Sequence, residues 1–545
     1  MPAAPAAIPP KPAIPGMGRR LPVPRGVWLI LGLLAALLAV PLAGLGPALF
    51  SESENWASLV PRLFRTYLKD TLILTFGTGL LVLLLGVPAA WLTSTCRFPG
   101  SRIFSWALVL PLALPGYLAV YGYHDLLAQA SGILVWMREH WGTGVASVVE
   151  ENLRYVILTG ILGSVLYPYV YLTTRASFRR QAASLIEASR LLGHSPGSTF
   201  RRIALPLARP AIAGGTALAL MEVLNDYGAV RFFGLKTLTT GIFRYGYDLD
   251  DKPAAVRLSL LLLGFVVLLL ALEKAARGRA RFNEGANHRP LSPWQLTGVK
   301  AWGATVVCLI PLVLGFLLPG ARILQLALLG SEDGLPRGFW PALGHTLLLA
   351  GGTALVMGVF ALLLAYAVRL QQGLTGRLAA RAALIGYGMP GAVIALAVTL
   401  GLIDLPRSLG LGLLSGTFTG LVIAYIVRFL AVSYQPLEGG LQRVCGSLDD
   451  ASRTLGIGPW RTLWRINLPL LRGPLLAAVL LTFIDLLKEL PITLLLRPHS
   501  FSTLATRAWD LQEQSRLAEA CVPAVVIVLL GAGGALWLHR SMEKS

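Results

Sequence analysis

The chain has 545 residues, 55% of them hydrophobic and only 14% charged, with a formal net charge of +20. A soluble protein of this length would carry about a quarter charged residues, and a mean hydropathy of +0.66 excludes a fold solvated by water alone. The apolar residues come in long blocks rather than periodic stripes, so the solvent is lipid, and the basic surplus belongs to loops rather than to a nucleic-acid surface.

Residues 1–25 are rich in Pro and Ala, with Lys11, Arg19, Arg20 and Arg25. This is a poor signal-peptide n-region and reads as a disordered cytoplasmic tail. About twelve apolar blocks of the ~20-residue length a bilayer requires follow. In the first half they are Val27–Phe50, Thr71–Leu92, Ile103–Leu127, Tyr155–Thr173, Ile212–Val230 and Ala254–Leu272. In the second they are Trp302–Leu318, His345–Val368, Ala382–Ile403, Leu411–Val432, Pro474–Leu496 and Ala520–Leu538. The predicted fold is an all-α polytopic membrane protein with two homologous six-helix halves, residues 26–273 and 301–545. A basic cytoplasmic linker over 274–300, punctuated by Gly285, Pro290 and Pro293, joins them. With the N-terminus inside, the cytoplasmic segments hold 29 Lys/Arg against seven acids, while the outer loops come out near neutral. The positive-inside rule therefore fixes the orientation. Cys96, Cys308, Cys445 and Cys521 lie in separate segments without metal-ligand or redox spacing and read as inert.

The halves share more than span number. Asp70-Thr71-Leu72 aligns with His345-Thr346-Leu347 and Pro115-Gly116 with Pro390-Gly391, both at an offset of 275. At 263, Glu222 aligns with Asp485 and Asp226 with Glu489; Thr237-Leu238-Thr239-Thr240 aligns with Thr503-Leu504-Ala505-Thr506 at 266. The falling offset predicts a longer outer loop in the first half, around Ser131–Trp141. An even number of spans per half makes these parallel repeats about the membrane normal, with substrate passing between them.

The sharpest repeat is polar. Glu187-Ala188-Ser189, Gly193 and Ile203-Ala204-Leu205-Pro206 recur in register as Asp450-Ala451-Ser452, Gly456 and Ile466-Asn467-Leu468-Pro469. The pattern resembles the EAA loop of bacterial ABC-importer permeases, which the resemblance implies is a cytoplasmic helix that couples to an ATPase. Asp450 departs from the family's usual Glu. The two coupling loops, 181–206 and 444–469, each predict a short helix ended by glycine in the left-handed conformation (Gln181–Leu192 in the first), with Leu191 and Leu192 as apolar anchors. Pro206 and Pro210 set the entry to the next span, and Pro469 recurs at the position of Pro206.

No G-x-x-x-x-G-K-[ST] loop occurs, and no catalytic constellation is evident, so the chain reads as a transport subunit rather than an enzyme. No cofactor is expected on it; ATP and Mg belong to two ATPase subunits acting in trans. Over roughly residues 65–540 the sequence is similar to fused permeases of ferric-iron importers. The stretches that carry this are Leu110–Tyr117, Met221–Gly228, Thr239–Arg244, Asp485–Pro491 and Leu504–Arg507. That resemblance implies Fe³⁺ delivered by a periplasmic ferric-iron-binding protein across a bacterial inner membrane, with no nucleic-acid partner. Fused permeases for thiamine and for phosphonates share the architecture, and a secondary transporter also shows parallel halves.

The residues add an independent hint. Glu222 and Asp226 are four apart on one helical face, as are Asp485 and Glu489. Pseudo-symmetry would bring both pairs beside a central pathway, where ionisable groups in spans usually face. Tyr117 and Tyr121 could add phenolic oxygen for a hard cation. No resident metal site is assigned. The alternative is structural: the acids form ion pairs, for instance with Lys488 or Arg231, or mark outer helix ends, and the tyrosines are interfacial aromatics.

Overall fold

A computed structural model describes residues 24–180, 189, 191–193, 195–277, 293–332, 334–371, 373–404 and 418–544. The expected helix Gln181–Leu192 lies outside them except for Ser189, Leu191 and Leu192. Most of the tail and of the linker lie outside them as well. Among the described residues, nine helices are long and apolar enough to span a bilayer, or up to twelve if three sharply bent pairs each count as one.

Two of those bends correct the continuous spans expected from hydropathy. Ser101–Ala113 and Gly116–Gly122 meet at 98°, and Leu374–Gly388 and Gly391–Leu402 at 108°. The cause is the repeated Pro-Gly. A proline disfavours helical backbone in the residue before it, and Leu114 and Met389 are extended accordingly. The spans expected to reach Val230 and Leu496 also end sooner, at Asn225 and Leu487, each followed by a short separate helix, Gly228–Phe232 and Pro491–Leu496. The insertion around Ser131–Trp141 is helix rather than loop, as part of His124–Trp141.

Two other repeats meet each other in space. Thr71 accepts from the Leu238 N–H at 3.0 Å, and Thr346 from the Leu504 N–H at 2.7 Å. Thr237 and Thr503 are the N-caps of the helices that begin there.

The halves interlock. The first helix, Arg25–Ala43, packs on Phe339–Leu370, Leu374–Gly388 and Gly391–Val398 of the second half. The first span of the second half answers in kind, with Val313–Leu317 on Thr143–Arg180 and Leu318–Leu329 on Gly116–Gly122. Segments 26–273 and 301–545 are thus sequence repeats rather than separate bodies. The linker is also shorter than its composition suggests. Residues 274–277 finish the helix Lys252–Arg277, Trp294–Gln295 pairs in parallel with Cys96–Arg97, and Gly298 starts the next helix.

Aromatic packing anchors the described parts of both EAA-like segments. Trp91 packs on Phe178, Phe200 and Trp294, tying the first segment to the linker. At the second, Trp460 lies against Gly26 and Tyr366.

Candidate functional site

Between the halves lies a cavity lined by Tyr117, Tyr169, Glu222, Asn225, Asp226, Tyr387, Arg428, Asp485, Lys488 and Glu489, together with the Pro115-Gly116 break. All four carboxylates singled out in the sequence are brought together, in two different environments. Asp226 accepts from the Ala229 N–H at 2.8 Å, capping Gly228–Phe232. Glu489 accepts from the N–H groups of Ile492 and Thr493 at 3.0 and 3.1 Å and from the Thr493 hydroxyl, capping Pro491–Leu496. A carboxylate at a helix N-terminus satisfies orphan donors and opposes the helix dipole. These two acids are therefore fixed to the backbone.

The Pro-Gly repeat exists partly to admit them. A Cβ on Gly116 would sit 2.3 Å from Asp226 Oδ2, and one on Gly391 would meet Glu489 Oε1 at 3.2 Å. Asn225 ties the halves together, its Oδ1 accepting from the Gly391 N–H at 2.7 Å.

Glu222 and Asp485 are the freer pair. Asp485 binds Lys488 Nζ at 2.9 Å, so of the four acids it is Asp485, three residues earlier, that makes the Lys488 ion pair the structural alternative offered. The Glu222 carboxylate makes no hydrogen bond among the described residues and lies within electrostatic reach of Lys488, Tyr169 and Tyr387. Arg428 donates to the carbonyl of Met389 at the second helix break, satisfying an acceptor the proline exposed. Tyr117 lines the cavity, whereas Tyr121 does not; it packs on Phe232 and is fully buried. Neither hydroxyl has a hydrogen-bond partner among the described residues.

Of the expected coupling residues, Glu187 and Ala188 lie outside the described residues. Ser189 is buried and shares a 2.8 Å hydrogen bond with Thr199. Gly193 and Gly456 have φ of +79° and +72°. The second copy forms the helix Gly446–Thr454, closed by Gly456 N–H to Arg453 and Ile457 N–H to Ser452. That pair of bonds is a Schellman cap, which requires the left-handed residue glycine supplies. Asp450 and Ala451 face solvent, Ser452 is buried, and Leu192 and Leu455 are 77% and 76% exposed at equivalent positions. Pro206 and Pro469 each occupy the first turn of a helix that continues the chain.

The chain matches the family described as binding-protein-dependent transport system inner membrane component over residues 17–279 and 354–544. It belongs to that family. Among curated relatives, this permease is 26% identical over 468 residues to the Fe(3+)-transport system permease protein FbpB 2 of Haemophilus influenzae, covering 85% of the chain and 87% of the relative. It is 23% identical over 506 residues to the ferric transport system permease protein FbpB of Actinobacillus pleuropneumoniae, covering 85% and 71%. The sulfate transport system permease protein CysT of Salmonella typhimurium is 27% identical over 243 residues, 43% of this chain and 84% of that protein. The permease is thus a multi-pass membrane subunit of an ABC transporter, and the gradient-driven carrier drops out.

Sequence reasoning missed two parts of the permease's architecture. Tyr169 and Tyr387 face each other in the cavity from unrelated repeat positions. Asp449, one residue before the aligned acid, is buried and paired with Arg369 at 2.8 Å, with the Asn467 amide at 3.2 Å. Asn467 belongs to the I-x-L-P element, but its partner could be found only in three dimensions.

Proposed function

We propose that this permease moves ferric iron inward across a bacterial inner membrane, with ATP hydrolysed by two separate ABC subunits docked on the segments around Gly193 and Gly456. The observation that carries the cargo reading is the central cavity, where four carboxylates face two cations, Arg428 and Lys488. An anion path would present surplus cations or open helix N-termini. Here the two nearby N-termini are already occupied by Asp226 and Glu489. The ferric names of the full-length relatives support the same choice over the half-length sulfate relative.

In this reading a periplasmic binding protein delivers iron at the end opposite the two coupling segments. ATP binding in trans draws those segments together and rocks the interlocked halves, and ADP release restores the inward-facing state. The exposed leucines Leu192 and Leu455 are the apolar contacts to the ATPases, and the glycine caps let the chain turn away from them. The N-terminus and the linker face the cytoplasm, as the basic surplus at that end favours.

Uptake of radioactive Fe(III) by cells with and without this chain tests the cargo, with thiamine and a phosphonate as parallel substrates. Loss of iron uptake alone is expected; loss of thiamine or phosphonate uptake with iron unchanged would sink the proposal. The exposed thiol of Cys445 reports orientation: an impermeant maleimide should reach it only from the cytoplasmic side.

A further inference from the structure

Glu222 and Asp485 occupy equivalent positions in the two repeats and line the same cavity. Both are half-buried, and neither is committed to the backbone as Asp226 and Glu489 are. Two uncompensated like charges in such a place would be costly. The cation that faces both is Lys488, 2.9 Å from Asp485 and within electrostatic reach of Glu222, while Arg428, the cavity's other cation, is held on the Met389 carbonyl.

Three features distinguish this ammonium from an ordinary structural partner. Its position in the other repeat is Asn225, an uncharged side chain locked onto the Gly391 N–H, so the cavity holds one lysine for two symmetric acids. Lys488 follows the last turn of Arg472–Leu487 as its C-cap, where its flexible four-carbon stem is anchored at one end only. Beside it, Tyr169 and Tyr387 lie within electrostatic reach of both acids, offering phenolic oxygen to whatever cation sits there.

We propose that Glu222 and Asp485 form one cation subsite whose resident occupant is the Lys488 ammonium, which an incoming cation displaces and which returns when the cation leaves. Lys488 is then a tethered competitor. It offsets one of the empty subsite's two negative charges, and it lowers the affinity for a multivalent ion that two carboxylates would otherwise trap, since a conducting site must release what it binds. This inference rests on the cation reading of the cavity and adds the residue that sets affinity within it.

The test uses the full permease–ATPase complex in nanodiscs with ⁵⁵Fe(III) citrate as probe, measuring equilibrium binding without nucleotide, ATPase activity, and uptake in proteoliposomes. Lys488→Met should bind the probe about tenfold tighter or more, a shift of ~1.4 kcal/mol, while uptake falls several-fold and the complex still hydrolyses ATP. Lys488→Gln, which keeps a polar contact to Asp485, should show the same change and serves if the Met variant fails to assemble. Lys488→Arg should stay near wild type. Probe binding unchanged or weaker in both neutral variants would overturn the proposal. So would full recovery of uptake in Lys488→Met with Asp485→Asn, which would make the pair purely structural. Failure of the underlying reading looks different: Glu222→Gln and Asp485→Asn would each leave iron uptake untouched.

Discussion

Replacing Arg369 with Met removes the clamp on the second coupling helix. Arg369 Nε donates to Asp449 at 2.8 Å, and the two side chains are only 18% and 10% exposed. Its remaining nitrogens donate to the carbonyls of Leu441 and Val444, so one side chain joins the end of Phe339–Leu370 to the helix leading into Gly446–Thr454. Removing one member of a buried pair costs about 3–5 kcal/mol, because the other charge is left uncompensated. Asp449 keeps the Asn467 amide, so the lower figure applies. About 3 kcal/mol shifts a docked–undocked equilibrium by roughly 10²-fold. A nitroxide on Cys445 reads this directly, since that thiol is exposed while Cys96, Cys308 and Cys521 are buried. Arg369→Met should mobilise the label and lower ATP-coupled uptake in parallel. Adding Asp449→Leu should recover both in part, since two apolar groups leave no buried charge. An immobile label and wild-type uptake in Arg369→Met would refute the clamp.

Gly456→Val should insert normally and lose uptake. No atom lies within 4 Å of a Cβ there, so the cost is the left-handed backbone alone, about 1–2 kcal/mol, and Gly456→Asn should lose much less; equal behaviour of Val and Asn would refute strain as the cause. Gly116→Ala should depress uptake more than Gly391→Ala, because its Cβ would meet Asp226 at 2.3 Å rather than Glu489 at 3.2 Å; the reverse order would mean that the breaks tolerate side chains by moving. Asp251, outside the spans, gives a pH signature. Burial opposes its ionisation, yet the N–H groups of Ala254 and Asn55 and the Ser53 hydroxyl hold its carboxyl below the usual value of 3.8. A depressed folded value means stabilisation that is complete above the unfolded value and lost as pH falls through the folded one. Asp251→Asn should therefore lower the melting temperature in detergent at pH 7 and much less near pH 3, and equal losses at both would refute the assignment.

The sequence by itself determined the solvent, the span count and the duplication, because hydropathy and residue spacing are local properties that survive in one dimension. It also located the left-handed glycines at 193 and 456, since a left-handed turn is decided by one residue and its neighbours. It marked the four cavity carboxylates, because acids inside apolar blocks stand out whatever surrounds them. It did not determine their roles. Asp226 and Glu489 became backbone caps only because the spans stop short and new helices begin three and four residues later, which total hydropathy does not register. Lys488 chose Asp485 over Glu489 because Glu489 was already held by Ile492 and Thr493. The Arg369–Asp449–Asn467 cluster joins positions 80 and 18 residues apart, and the first span of each half packs on the other half. Those choices needed the tertiary structure, because the desolvation that makes a buried charge seek a partner depends on which distant segments exclude water from it.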